Sequence, residues 1–479
     1  MGLVSGYLNL PHLINTTIPG TSVKVLTVSM EAAVENNAHT YSGGLGVLVG
    51  DKIRAAQDMK KPVDVITFSY PEGYVRNRVV DGKIIAETNP YEPEKMFREW
   101  DTFTLKTGFG DVSIKILQGK NSWFIHTDLA NRLYVEDGGE HRLKKEIIIG
   151  KVAEKLFLQE GFDVLHVEES QCAFAGLELK KASPKSRVVF TTHTPLPHGH
   201  ETWDSEIVKK LYSPLGKLNM TKLALDSCDF VNCVSKMQRD IMNPFLQERA
   251  KFITNGVHKS WKHAGGKRKA KQELLKAVKN QAFHTKDFDD SFTIGIARRF
   301  TSYKRMDLVF SEFDKLEELA KHTPIQIVFA GVAHPSDTEG IKTIERVLET
   351  AATAKHVRIA YFPNYDMDLA RKMIAGSDAW MNVPVEGQEA SGTSWMKAMM
   401  NGTILISTVS GSVPEFADAG NALLIPPGSA KEQGLSLFNL IKRAAQEDTH
   451  EMSKAAIAVS DKVSAKRMME EYFSRAYDV

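Results

Sequence analysis

Three groups of residues carry side chains able to do chemistry. In "EGQEASGTSWMKAMMNG", residues 386–402, Lys397 stands among Trp395, Met396, Ala398, Met399 and Met400, after the small polar run 391–394. That run reads as a helix start. The lysine beyond it either snorkels to solvent or is buried and reactive, since full burial lowers a lysine pKa by as much as ~3–5 units. In "IARRFTSYKRMDL", residues 296–308, Arg298, Arg299, Lys304 and Arg305 follow an apolar strand. Strand ends of this kind are where open α/β sheets bind ligands. Arg299 and Lys304 there suit a phosphate or diphosphate, and Arg305 is expected to be solvated. In "VVFTTHTPLPHGHETW", His193 directly follows a strand, and His198 and His200 lie in the loop beyond. Two prolines interrupt that run and exclude a helical H-E-x-x-H, so no metal is expected. His193 is either a hydrogen-bonded structural residue or a group at the mouth of a cleft.

The elements that must position these groups alternate. Short apolar runs such as "VKVLTVSM", "PVDVITF", "FDVLHVEE" and "SRVVFTTHT" are interleaved with amphipathic stretches such as "GDKIRAAQDM" and "AFAGLELKKA". The rhythm resumes after residue 271 with "FTIGIARRF", "IQIVFAG", "HVRIAYF", "DAWMNV" and "TILIST". This is the signature of parallel sheets, and 479 residues exceed what one core supports. The expected fold is α/β, with two Rossmann-like doubly wound domains, 1–257 and 258–455, facing across a cleft. A C-terminal helical segment, 456–479, is expected to pack back on the N-terminal domain. The glycine cluster "YSGGLGVLVGD" should open a helix whose amides face an anion or a sugar hydroxyl. It serves equally as a tight turn that lets the helix pack on the sheet. Its spacing departs from G-x-G-x-x-G, because Gly50 comes one residue late, which argues against a dinucleotide.

Composition narrows the function classes. The net charge is +2 with 25% charged residues, which provides no basic stripe for nucleic acid. The basic stretch 259–271 reads as a solvated connection between the halves. Three cysteines, Cys172, Cys228 and Cys233, lack zinc or disulfide spacing and fit a reducing, cytoplasmic interior. The N-terminal stretch lacks the basic and apolar regions of a signal peptide, and the apolar runs are too short to span a bilayer, so neither membrane nor nucleic acid is an expected partner. A homodimer is the candidate assembly.

Taken together, "EASGTSWMKAMMNG", "TYSGGLGVLVGDKIRAA", "TTHTPLPHGHETW", "ITNGVH" and "ARRFTSYKR" resemble, in order, blocks of the α-glucan (glycogen, starch, maltodextrin) phosphorylases. The similarity is greatest to the short archaeal and bacterial type and runs over residues 24–402. The resemblance implies a GT-B-type glycosyltransferase fold, with the glucan on the N-terminal side and pyridoxal 5'-phosphate, covalent at Lys397, on the C-terminal side. The implied reaction is the reversible transfer of a glucosyl unit from an α-1,4-glucan or maltooligosaccharide to inorganic phosphate, giving glucose 1-phosphate. It places Thr393 and Arg298 at the cofactor and Arg299 and Lys304 on phosphate. It also places His193, Asn255, Glu389, Ser391 and Gly392 on sugar hydroxyls and closes Gly43, Gly44 and Leu45 over the substrate phosphate. No protein nucleophile is needed.

Several positions depart from that family. Trp395 stands where a small residue or Asn is usual, so the pocket around Lys397 must make room for an indole. Gln171 replaces an expected histidine, Val332 a usual lysine, and "NVPVEGQEASG" lacks arginines that short members often carry. Two other readings therefore stay open. One is a nucleotide-sugar glucosyltransferase of the same architecture, which "SGSVPEFADAGNALLIPPG" also resembles; the other is a glucan-binding protein without turnover.

Overall fold

The computed structural model describes residues 22–135, 138–195, 199–242 and 244–478. The N-terminal stretch read above for targeting signals, and His198, lie outside them. The apolar runs form strands because Val, Ile and Phe on successive positions can be buried on both sheet faces at once. Val25–Val28, Val164–Glu168 and Ile325–Ala330 are buried at every residue.

From edge to edge the first sheet runs Lys251–Phe252, Phe230–Cys233, Arg187–Thr192, Val164–Glu168, Val25–Val28, Val63–Phe68, Ser122–His126, Gly110–Gly119, Arg98–Thr107. The first seven strands are parallel and the last two antiparallel. In the second sheet the order is Phe283–His284, Arg358–Phe362, Ile325–Ala330, Phe292–Ala297, Ala379–Asn382, Ile404–Thr408, Ala422–Ile425. It is parallel except at its first strand. Each sheet reverses direction of winding once, between Val25–Val28 and Val164–Glu168 in the first, and between Phe292–Ala297 and Ala379–Asn382 in the second. The crevices beyond the carboxyl ends at such switch points are where open α/β sheets take ligands. The protein is thus α/β, built of two Rossmann-like doubly wound units of the GT-B type.

Other contacts fix one unit against the other. The hairpin of Val75–Val80 and Lys83–Thr88 leaves the first unit and lays Val79 and Ile84 on the core of the second, where the Asn77 amide donates to Asn364 Oδ1 at 3.0 Å. The stretch 259–271 differs from its reading as a solvated connection. Lys267 donates to Ser377 O, Lys271 is buried and donates to Asp378 Oδ2 at 2.5 Å, and Trp261 is buried. These cations anchor helix Gly266–Gln281 to the second sheet, and burial lowers the Lys267 pKa to about 8. At the C-terminus, helix Ala465–Tyr472 and the turn Phe473–Tyr477 pack Met468, Met469, Tyr472 and Tyr477 against Val49 and Ile53 of the first unit. Among the described residues no helix is long and apolar enough to cross a membrane.

Candidate active site

The cleft between the units holds a cavity of about 600 Å³. Every residue named above for cofactor, phosphate or sugar lines it: Gly43, Gly44, Leu45, His193, Asn255, Arg298, Arg299, Lys304, Glu389, Ser391, Gly392, Thr393 and Lys397.

On the second unit, strand Ala379–Asn382 ends at the switch point, and the following loop returns as helix Ser394–Met400. Lys397 on that helix is only 6% exposed. Its Nζ lies 3.7 Å from the centre of the Trp261 ring and has no hydrogen-bond acceptor among the described residues. Burial lowers its pKa to about 8, with Asp51 pulling the other way. Asp51, pushed up by its own burial, accepts from Trp261 Nε1 with both oxygens at 3.0 and 2.9 Å. One indole therefore carries the amine on its face and a carboxylate on its edge.

Trp395 precedes Lys397 by two residues, about 200° around the helix. It is fully buried with Phe416, Val413 and Ala417, its ring centre 6.2 Å from that of Phe416, and it does not line the cavity. The room for the indole comes from the core behind the helix, so it does not crowd the cavity. Its Nε1 has no hydrogen-bond partner among the described residues.

The cations rise from the end of strand Phe292–Ala297. Arg298 donates to Asn382 Oδ1, and its Nη1 sits 3.5 Å from Glu389 Oε2 without a hydrogen bond among the described residues. Lys304, closing the turn Ser302–Lys304, donates to both Glu389 oxygens, at 2.6 Å to Oε1. Burial would raise the Glu389 pKa, yet Lys304 and then Arg298 hold it below the usual carboxylate range. Arg299 is exposed toward the cavity, in the field of Tyr303, Tyr74 and Glu31. Arg305 corrects the expectation of a solvated residue. With φ at 47° it turns back to donate to Val383 O at 2.9 Å, Pro384 O at 3.1 Å and Gln433 Oε1 at 2.6 Å. It ties down the loop that leads to Glu389.

On the first unit, Gly43 caps helix Gly44–Asp58. A Cβ built at Gly43 or Gly44 meets nothing within 4 Å, so both border open cavity, whereas one at Gly46 or Gly50 would lie 2.5 Å from Tyr41 Cβ or 2.2 Å from Ala33 O. The late glycine is therefore explained by packing: Gly46 and Gly50, one turn apart, form the face on which residues 31–41 lie. Glu31 Oε2 accepts from the Ser42 amide at 2.6 Å and the Gly43 amide at 3.1 Å. The amides of Gly44 and Leu45 belong to the first turn, whose N–H groups lack intrahelical partners. His193 follows strand Arg187–Thr192; its backbone amide donates to Glu169 Oε1 at 2.7 Å, and its Nε2 lies 2.7 Å from Glu168 Oε2. Asn255 donates to Ser391 O at 3.3 Å and leaves a buried Oδ1 without a partner among the described residues.

Sequence reasoning missed Glu31, Tyr134, Arg142 and the roles of Asp51 and Trp261. Trp261 had one signal, an aromatic inside a basic run; the others had none, since only the fold makes Glu31, Tyr134 and Arg142 wall residues and brings Asp51 to the Trp261 indole. Gln171 and Val332 also line the cavity.

Two family models each match one half of the chain. Residues 246–477 match the carbohydrate phosphorylase family model, and residues 24–255 match the starch synthase catalytic domain model. The chain is 28% identical to a maltodextrin phosphorylase of Thermococcus litoralis, over 97% of this chain and 71% of that protein. It is 28% identical to a glycogen phosphorylase of Aquifex aeolicus, over 81% of this chain and 74% of that protein. It is also 27% identical to an uncharacterised protein of Methanocaldococcus jannaschii, over 94% of this chain and 98% of that protein. Residues 246–477 thus match a carbohydrate phosphorylase domain, and along most of its length the chain is similar to bacterial and archaeal maltodextrin and glycogen phosphorylases.

Proposed function

We propose that this chain is an α-glucan phosphorylase. It moves a glucosyl unit from the end of an α-1,4-glucan or maltooligosaccharide to inorganic phosphate, giving glucose 1-phosphate, and works with pyridoxal phosphate at Lys397. The observation that carries this reading is the cavity lining, in which a buried amine with a pKa near 8 and the three cations Arg298, Arg299 and Lys304 face one cavity.

The residues present fit that cofactor. Among the described residues the Lys397 amine has no hydrogen-bond acceptor and Arg298 Nη1 no hydrogen bond, Trp261 supplies an aromatic face beside the amine, and Thr393 stands at the helix start. When bound, pyridoxal phosphate would supply a phosphate group able to exchange a proton with the substrate phosphate. The rest falls to the chain. Two phosphate dianions a few ångströms apart would repel by roughly 10 kcal/mol or more even at an effective dielectric near ~20, and Arg298, Arg299 and Lys304 would offset that repulsion. Lys304 now holds Glu389; passing the ammonium to an incoming phosphate frees the Glu389 carboxylate to accept a sugar hydroxyl. Asn255 Oδ1, without a partner among the described residues, receives the other hydroxyls with His193, Ser391 and Gly392, and the helix start at Gly43, Gly44 and Leu45 closes on the phosphate. Cleft walls from both units exclude water from the transferred glucosyl group.

The test is incubation of the reconstituted protein with a maltooligosaccharide and inorganic phosphate, with glucose 1-phosphate as the readout. A parallel incubation offers a nucleotide glucose as donor. Glucose 1-phosphate lost in Lys397→Ala supports the reading; glucan extension from the nucleotide sugar alone overturns it. The second reading, a nucleotide-sugar transferase, is favoured by the starch synthase match over 24–255. That match lies on the half opposite the cation wall, and the half bearing the cations matches phosphorylases, which is why phosphorolysis is preferred.

A further inference from the structure

Behind His193 lies a polar cluster that the proposed reaction does not use. Glu168, fully buried at the end of strand Val164–Glu168, accepts from Lys52 Nζ with Oε1 and meets His193 Nε2 with Oε2 at 2.7 Å. Lys52 is itself buried, donates to Tyr472 OH at 3.3 Å and lies 4.4 Å from the centre of that ring. Tyr472 OH also accepts from Asn232 Nδ2 at 3.0 Å. Another ionisable neighbour, His166, has Nε2 3.7 Å from Glu168 Oε1 but hydrogen-bonds elsewhere, Nδ1 with Tyr477 OH and Nε2 with Thr191 Oγ1, each at 2.7 Å, and burial lowers its pKa to about 3. Burial would protonate Glu168, but Lys52 keeps it well below the usual carboxylate range.

An ionised carboxylate accepts hydrogen bonds and cannot donate them. The proton in the 2.7 Å contact therefore belongs to His193, on Nε2. In the neutral ring this leaves Nδ1 as the lone-pair nitrogen. Tautomer and ring orientation together decide whether a histidine on a cavity wall accepts or donates toward a ligand.

We propose that Glu168 is a positioning residue of the sugar side of the site: it locks His193 in the Nε2–H tautomer, and Lys52 with Tyr472 of the C-terminal helix holds Glu168 in place. The helix Ala465–Tyr472 thereby bears on sugar binding although Tyr472 does not line the cavity. This rests on the glucosyl reading of the cavity, but its first measurement needs no turnover.

The experiment is two-bond ¹⁵N–¹H correlation spectroscopy of the full chain labelled with ¹⁵N-histidine, with His193→Asn assigning the ring, in wild type and Glu168→Gln. The expected wild-type ring is protonated on Nε2 at neutral pH. In Glu168→Gln, whose amide can donate or accept, both tautomers populate. The KM for maltooligosaccharide rises roughly tenfold to a hundredfold, as for loss of a hydrogen bond to a charged group, while the KM for phosphate holds. Tyr472→Phe shifts the same signals and the same KM less. A wild-type ring protonated on Nδ1, or a Glu168→Gln ring with an unchanged tautomer, overturns the proposal. Glu168→Gln leaves a buried ammonium without its counter-ion; if it fails to fold, Lys52→Met combined with Glu168→Gln removes that charge and is read in the same spectra. Absence of glucose 1-phosphate formation by wild type would overturn the phosphorylase reading and leave the tautomer result standing.

Discussion

Replacing Lys304 by Ala tests the division of labour on the cation wall. In the structure its ammonium spans both oxygens of Glu389, while Arg298 stands off at 3.5 Å. If phosphate takes over that ammonium during the reaction, the variant loses a charge-assisted contact worth about 1.5–3 kcal/mol. That converts to roughly tenfold to 150-fold in kcat/KM for inorganic phosphate. Lys304→Arg keeps the charge but changes its shape, and should lose less. Glu389 also feels the change. Its pKa, now held down by Lys304, rises in Lys304→Ala, so the carboxylate is neutralised at a less acidic pH and the stability it contributes is lost earlier as pH falls. Initial rates against phosphate at saturating maltooligosaccharide, with acid unfolding curves of both proteins, measure the two effects. Glu389→Gln supplies the counter-arm: it frees the ammonium, so inorganic phosphate should bind the variant at least as tightly as wild type by calorimetry while the glucan binds more weakly. Unchanged phosphate saturation in Lys304→Ala, or weaker phosphate binding in Glu389→Gln, would refute the idea that carboxylate and phosphate share one cation.

Reconstitution of the cofactor-free protein with pyridoxal phosphate should accelerate with rising pH, with its midpoint near 8, because the neutral amine is the reactive form; a midpoint near the ordinary lysine value of 10.5 would contradict the burial argument. In Asp51→Asn that midpoint should move lower, since Asp51 is the group that raises the Lys397 pKa. Trp395→Ala should cost about 3–5 kcal/mol in urea unfolding, as large-to-small core changes do, with little change in cofactor affinity measured by absorbance titration. Tight cofactor binding gained only in the variant would show that the indole reaches the pocket after all.

The sequence by itself determined the alternation of strand and helix, because strands buried on both faces must be written as unbroken apolar runs such as "IQIVFA", and these are visible without any partner. It also marked the ends of those strands, where Arg298, His193 and the helix bearing Lys397 stand, since glycines and small polar residues announce the turns that follow. Strands with one wet face were less legible. Arg98–Thr107 and the hairpin at 75–88 carry charged and polar residues on exposed positions, and their apolar signal is diluted. Tertiary structure alone decided the electrostatics. Nothing local to "MKAMM" shows that Trp261, more than a hundred residues away, lies under the amine, or that Asp51 opposes the effect of burial. Nothing local to "HVEES" shows that the distant Lys52, itself in contact with the C-terminal Tyr472, holds the buried Glu168 well below the usual carboxylate range. A pKa depends on burial and on charges within a few ångströms, and both are set by which distant segments the two sheets bring to the same cleft.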